Sequence, residues 1–328
     1  MRSFFVLLLL SLLSVFALAT TLNAQQPGEQ VVVAIANAKV QSGRTIVGTT
    51  DIGDTLVVKK VEGDWLLVDI TGTQGWIKKT NVVSFLDAKS VFDQRITVSS
   101  DKTNAFIARG EYRLELGQPF LAAEVFTEAL RIGGDDALVF TSRGIARSMA
   151  GKPGLALEDY NRVIELDPTD HLAYKNRASA WLVMGENAKA IEDCDKVLKL
   201  APKFWAAFHT RGHAYLNIGR PKRAMEDFNK AIELDPKSSS HYNSRGMVYA
   251  EFGDHKKAIE DYNTALDLMP SNVNALLNRG KSWHALEDHS KAIADFDRIL
   301  KIHPESSFAY LYRGSIKQGL GNYQDAIA

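Results

Sequence analysis

An arginine followed by a small residue recurs every 34 residues along most of this chain: Arg109-Gly110, Arg143-Gly144, Arg177-Ala178, Arg211-Gly212, Arg245-Gly246, Arg279-Gly280 and Arg313-Gly314. A fixed period of this length marks stacked supersecondary units, each too small to bury its apolar face alone. Other positions keep the same phase. Glycine falls seven residues after the small residue at Gly117, Gly151, Gly185, Gly219, Gly253 and Gly321, with Glu287 the exception. Alanine falls twelve after it, from Ala122 to Ala326. An aromatic follows that alanine by four at Phe126, Tyr160, Phe228, Tyr262 and Phe296, and Cys194 replaces it once. Proline closes the unit at Pro168, Pro202, Pro236, Pro270 and Pro304.

Each recurrence has a packing reason. A small residue lets a facing helix approach closely. Glycine ends a helix where a left-handed residue is needed. Alanine and the aromatic four later share one helix face, and proline cannot continue a helix. The pattern therefore predicts helix–turn–helix units. An aspartate also recurs one residue before the aromatic, at Asp159, Asp193, Asp227, Asp261 and Asp295. Arginine and carboxylate suit paired hydrogen bonds, so a structural Arg–Asp ladder is expected. Val125 stands where the first unit's aspartate would be.

The chain resembles the tetratricopeptide repeat family, most fully from Tyr242 to Pro270. In the family's phase, units begin at Thr103, Ala137, His171, Trp205, Ser239, Val273 and Ser307. The resemblance implies an all-α, right-handed superhelical solenoid over residues 103–328, with six full repeats and a truncated seventh. The seventh stops at Ala328 within its second helix, which reads as a fragment of a longer array. The resemblance also implies a concave groove lined by the first helices. Mapped onto this chain, the groove residues are Lys175, Asn176, His209, His213, Asn243, Met247, Leu277 and Lys281. They are mixed and nearly neutral. The basic clamp of chaperone-binding relatives is missing, since Ser179, Thr210 and Ser244 stand at positions that clamp needs. A mildly polar extended segment or a helix is the expected ligand.

Residues 30–85 follow a different period. Val31, Val33 and Ile35 alternate, and Leu56-Val57-Val58 and Trp65 to Ile70 form β-rich runs between glycines. This predicts a small all-β barrel. Gly63-Asp64-Trp65-Leu66-Leu67-Val68 and Gly75-Trp76-Ile77-Lys78 resemble bacterial Src-homology-3-like domains, some of which bind cell-wall peptides. Trp65 and Trp76 are assigned to its core. No aromatic residue lies between Ala34 and Val40, which excludes a polyproline groove. The expected organisation is a signal peptide over 1–24, a barrel over 28–85, a linker over 86–102 with a short helix, and the array.

The N-terminus carries Arg2, an apolar run from Phe4 to Ala19 and an Ala17-Leu18-Ala19 cleavage site, which together read as a secretory signal. A periplasmic or secreted protein is expected; the alternative is an uncleaved inner-membrane anchor. Lysine plus arginine equal aspartate plus glutamate at 39 each, so bulk charge selects neither nucleic acid nor an anionic membrane. The single cysteine, Cys194, permits no internal disulfide. His209 and His213 share a helix face at a zinc-compatible spacing, but no third ligand is fixed near them, so no metal is assigned. No nucleophile, zinc-hydrolase or phosphate-loop motif is present, and no cofactor or catalytic residue is assigned. The expected function is a non-catalytic scaffold of the bacterial cell envelope that binds a protein or peptide. The alternative is a cell-wall module whose barrel binds peptidoglycan while the repeats recruit an enzyme.

Overall fold

The computed structural model describes residues 30–34, 38–42, 45–50, 54–70, 73–84, 88–99 and 101–319. The signal segment, Gly321 and Ala326 lie outside them. The chain divides into two units, Met1–Leu155 and Ala156–Ala328.

The first unit opens with strands β1 (Gln30–Val33), β2 (Ala38–Ser42), β3 (Thr45–Thr50), β4 (Thr55–Glu62), β5 (Trp65–Ile70), β6 (Thr73–Lys78) and β7 (Val82–Ser84). They form one antiparallel sheet in the order β3-β2-β6-β5-β4-β1-β7. Alternation sends Val31, Val33, Val40, Leu56, Val58, Leu66, Val68, Ile77 and Val82 into one core. A register shift between Val58 and Lys60 bends β4, so that its first half pairs with β1 and its second with β5.

Two expectations are corrected here. The strands do not close into a barrel: β3 and β7 end the sheet and do not pair with each other among the described residues. A period of two fixes which side chains turn inward, not whether the end strands meet. Instead a helix covers that end. Val32, Ala34 and Val83, on the opposite face from the first core, pack on Ala88, Val91, Phe92 and Tyr112. The second correction concerns the tryptophans. Leu66 and Ile77 take the inward positions, so Trp65 and Trp76 lie half-buried on the other face. Lys78 sits 5.4 Å over the Trp65 ring.

Fourteen helices follow among the described residues. The segment after the sheet carries α1 (Lys89–Val98), held in the core just described by Val91 and Phe92. Helix pairs follow: α2 (Lys102–Glu115) and α3 (Pro119–Gly133), α4 (Ala137–Met149) and α5 (Pro153–Leu166), α6 (His171–Val183) and α7 (Asn187–Leu200). The rest are α8 (Trp205–Asn217) and α9 (Pro221–Leu234), α10 (Ser239–Glu251) and α11 (His255–Leu268), α12 (Val273–Ala285) and α13 (His289–Ile302), and finally α14 (Ser307–Gly319).

The turn inside each pair is the one the glycines predict. Gly219 sits at φ 67° and Gly253 at φ 79°, and the next amide closes back on the helix, as in Arg220 N–H to Tyr215 O at 2.8 Å. Glu287 adopts φ 62° at the same place, bearing strain that glycine would not. The small residue and the aromatic meet face to backbone. A Cβ added to Gly212 would lie 2.7 Å from Phe228, one added to Gly246 2.6 Å from Tyr262, and one added to Gly280 3.0 Å from Phe296. In the third pair Ala178 faces the smaller Cys194 in one fully buried cluster. Burial pushes that thiol up to about 12, so it is an inert core group.

Candidate functional site

The first helix of each pair carries two sets of polar side chains. One is the arginine row. Arg177, Arg211, Arg245 and Arg279 each grip the aspartate sixteen residues ahead, on the second helix of the same pair, through Nε and Nη2. The distances run from 2.5 to 2.9 Å, and Asp193, Asp227, Asp261 and Asp295 are buried. The third edge of the fork reaches sixteen residues back, to the preceding pair. Arg177 Nη1 donates to Asn161, Arg211 to Asp195, Arg245 to Asn229 at 2.9 Å, Arg279 to Asn263 and Arg313 to Asp297. Arg177, Arg211, Arg245 and Arg279 thus each lock their own hairpin and tie it to its neighbour, and the aspartate beside Arg177, Arg211 and Arg245 pushes each of those three pKa values up. The Asn/Asp row at 161, 195, 229, 263 and 297 was readable in the sequence, two residues after each aspartate. Only the fold shows that it faces the next arginine.

The second set is the predicted groove of the second unit. Four neighbouring repeats contribute to it. Ser244 Oγ lies 3.0 Å from His213 Nε2 and 3.2 Å from His209 Nε2, joining α8 to α10. Asn278 Nδ2 donates to Asn243 Oδ1 at 3.0 Å, joining α10 to α12. Asn243 also lies 3.8 Å from the Met247 sulfur. Lys175 Nζ donates to Asn176 Oδ1 at 2.7 Å, and burial lowers its pKa. Leu277 packs beside the core of the last pairs. Lys281 lies 5.0 Å over the Tyr312 ring. The eight predicted residues therefore fall into pairs along successive helices, and His209, His213 and Asn243 also help to hold those helices together.

Sequence reasoning missed His241. It occupies the column that reads Ala173, Ala207, Ala275 and Ala309 in the other pairs of this unit. The side chain is fully buried. Its ring centre lies 4.8 Å from that of His209 and 4.9 Å from that of Trp205, tilted against both. Neither ring nitrogen has a hydrogen-bond partner among the described residues; the carboxylate of Asp235 is 3.7 Å away. Burial depresses all three imidazoles, and for His209 the neighbouring rings add to it, down to about 3. They are neutral at physiological pH. His209 and His213 direct Nε2 to the same serine hydroxyl, and among the described residues no group of three His, Cys, Asp or Glu side chains is disposed to hold a metal ion.

Regular two-helix units joined by a repeated guanidinium fork define a helical-repeat protein. Models of the tetratricopeptide repeat match residues 141–203, 205–238, 228–260, 246–286 and 274–306. The chain belongs to the tetratricopeptide repeat family. Among solved structures, the Cut9–Hcn1 hetero-tetramer of APC/C aligns with TM-score 0.63 at 16% identity, covering 71% of this chain and 46% of that one. This chain therefore spans less than half of that neighbour. A tetratricopeptide repeat protein from Parabacteroides merdae aligns with TM-score 0.56 at 22% identity, covering 68% and 89%. A thermophilic one from Thermus thermophilus gives 0.50 at 19%, covering 55% and 98%. These likenesses concern the fold. A comparison with curated protein sequences finds no match.

Proposed function

We propose that this protein is a non-catalytic scaffold that binds a protein or peptide segment along the first helices of its repeats, in the bacterial cell envelope. One observation carries this reading: a constant frame supports a variable face. The ladder from Arg177 to Arg279 makes the same contacts in every pair, while the fifth position of each unit changes from Lys175 to His209, Asn243 and Leu277, and the ninth from Ser179 to His213, Met247 and Lys281. A catalytic constellation is singular; a surface that reads a segment stepwise has this form. The envelope location rests on the N-terminal segment alone. No described helix is long and apolar enough to cross a membrane. A photo-crosslinking residue at Met247, which is partly exposed, should capture partners in cells. The same residue at exposed Glu260, on the second helix, should not. Equal capture from both would end the groove assignment.

A second reading is favoured by Trp65 and Trp76, half-exposed on the outer face of a sheet we infer to be Src-homology-3-like. Aromatic faces beside Lys78 suit a saccharide or peptide of the cell wall. The full-length chain should co-sediment with insoluble peptidoglycan and lose this on double alanine substitution of the tryptophans. Unchanged sedimentation would refute it.

A further inference from the structure

The first unit breaks the ladder at one place. In four later pairs the Nε and Nη2 edge of the arginine is closed by an aspartate of the same pair. In the first pair that residue is Val125, a side chain that accepts no hydrogen bond. Arg109 keeps its backward contact, with Nη1 3.1 Å from Asp93 Oδ1 on α1, again sixteen residues earlier. Its Nε is buried with no hydrogen-bond partner among the described residues. A buried guanidinium N–H without an acceptor is costly, and native structures rarely leave one so.

Arg109 also lines a cavity of about 500 Å³, with Arg113, Phe106, Leu121, Glu124, Thr127 and Glu128 together with Val125. Arg113 gives one bond to the neutral side chain of Gln118, at 2.6 Å, and no carboxylate pairs with it among the described residues. Phe106 and Leu121 supply apolar wall. Glu128 is already paired with Arg131, and Glu124 adds negative charge that would oppose a doubly charged ligand. None of the groove positions named above lines this cavity.

We propose that the cavity binds a single carboxylate carried on an apolar stem, as presented by a polypeptide C-terminus ending in a leucine-like residue. The ligand's carboxylate takes the role that the aspartate plays in the later pairs. Arg109 and Arg113 are its cations, and its stem lies on Phe106 and Leu121. Phosphate and dicarboxylate groups are disfavoured by Glu124.

The test uses the full-length chain and the arginine Nε–H resonances in NMR. N-acetyl-leucine should shift the Arg109 resonance saturably, and N-acetyl-leucinamide should not. Val125→Asp supplies the carboxylate from within, and Arg109→Lys removes the fork while keeping the charge. Each should weaken the response at least about tenfold, the loss of a charge-assisted hydrogen bond. No saturable shift, an equal shift with the amide, or wild-type response in both variants overturns the proposal. Isovalerate binding as tightly as N-acetyl-leucine would assign the site to small carboxylates and overturn the peptide-terminus assignment.

Discussion

Replacing Gly246 with alanine separates tertiary packing from helix propensity. In an exposed helix the change would stabilise, by about 1 kcal/mol. Here the new Cβ would lie 2.6 Å from Cε1, 2.9 Å from Cδ1 and 3.0 Å from Cζ of Tyr262. Carbon atoms rest about 3.5–4.0 Å apart, so the ring must retreat by about 1 Å within a helix seam where it is almost fully buried. Overpacking of this kind costs about 1–3 kcal/mol. The clash involves three ring carbons and no flexible chain end, so we expect the upper part of that range and a net loss near 1–2 kcal/mol. At Gly280 the nearest ring carbon is 3.0 Å away, and the same change should be smaller or neutral. The third pair holds the compensated version, Ala178 opposite Cys194. Tyr262→Cys alone should cost about 3 kcal/mol through the cavity it leaves. Combined with Gly246→Ala it should cost less than the sum by at least about 1 kcal/mol. Urea unfolding followed by circular dichroism and by tryptophan fluorescence measures all four corners of the cycle; coincident transitions license the comparison. A stabilising Gly246→Ala, or additivity within about 0.3 kcal/mol, would refute the reasoning.

Three further outcomes follow from the same contacts. Asp261→Ala strands the charge of Arg245 and should lower unfolding free energy by about 3 kcal/mol, whereas Asn229→Ala, which removes a single bond from the same fork, should cost about 1 kcal/mol; urea titration ranks them. Glu287→Gly relieves the left-handed strain at φ 62° and should stabilise by about 1 kcal/mol, seen as a raised denaturation midpoint. The imidazole cluster makes stability fall in acid. Its folded pKa values are depressed, so its contribution is complete above the unfolded value near 6.5 and declines as pH drops below it. With His209 at about 3, that residue alone removes about 2 kcal/mol between pH 7.5 and 5. Midpoints measured at both pH values should diverge in the native chain and converge toward each other in His209→Asn.

The array was legible because one period carries several independent requirements at once. Gly246, Ala258, Tyr262 and Pro270 each answer to a different feature of the hairpin, and all four recur together at one interval. The ladder was legible as a pairing of residue types, but its direction was not. Asp261 and Asn229 are equally far from Arg245 in sequence, sixteen residues to either side, and the fold uses both. Sheet closure was illegible because inward-facing valines look the same in open and closed sheets. The parity of Trp65 was misjudged for a related reason: a large aromatic suggests burial, while its neighbour Leu66 holds the inward position. A short helix in the linker was legible, but not its seat on α2, where Phe92 stacks on Tyr112 and Asp93 meets Arg109 at the spacing that later pairs use. His241 hid in a column of alanines because a period marks what recurs and is silent on what departs from it.

The central claim is that successive hairpins nest with their first helices side by side. Spin labels at Met247 and Lys281, and separately at Lys281 and Ser315, occupy the same phase of adjacent units and are exposed or partly exposed. Electron paramagnetic resonance should then report a single short distance in each pair, the same for both, set by helix axes about 10 Å apart plus the label arms. Long or broad distributions, or two pairs that disagree, would contradict nesting.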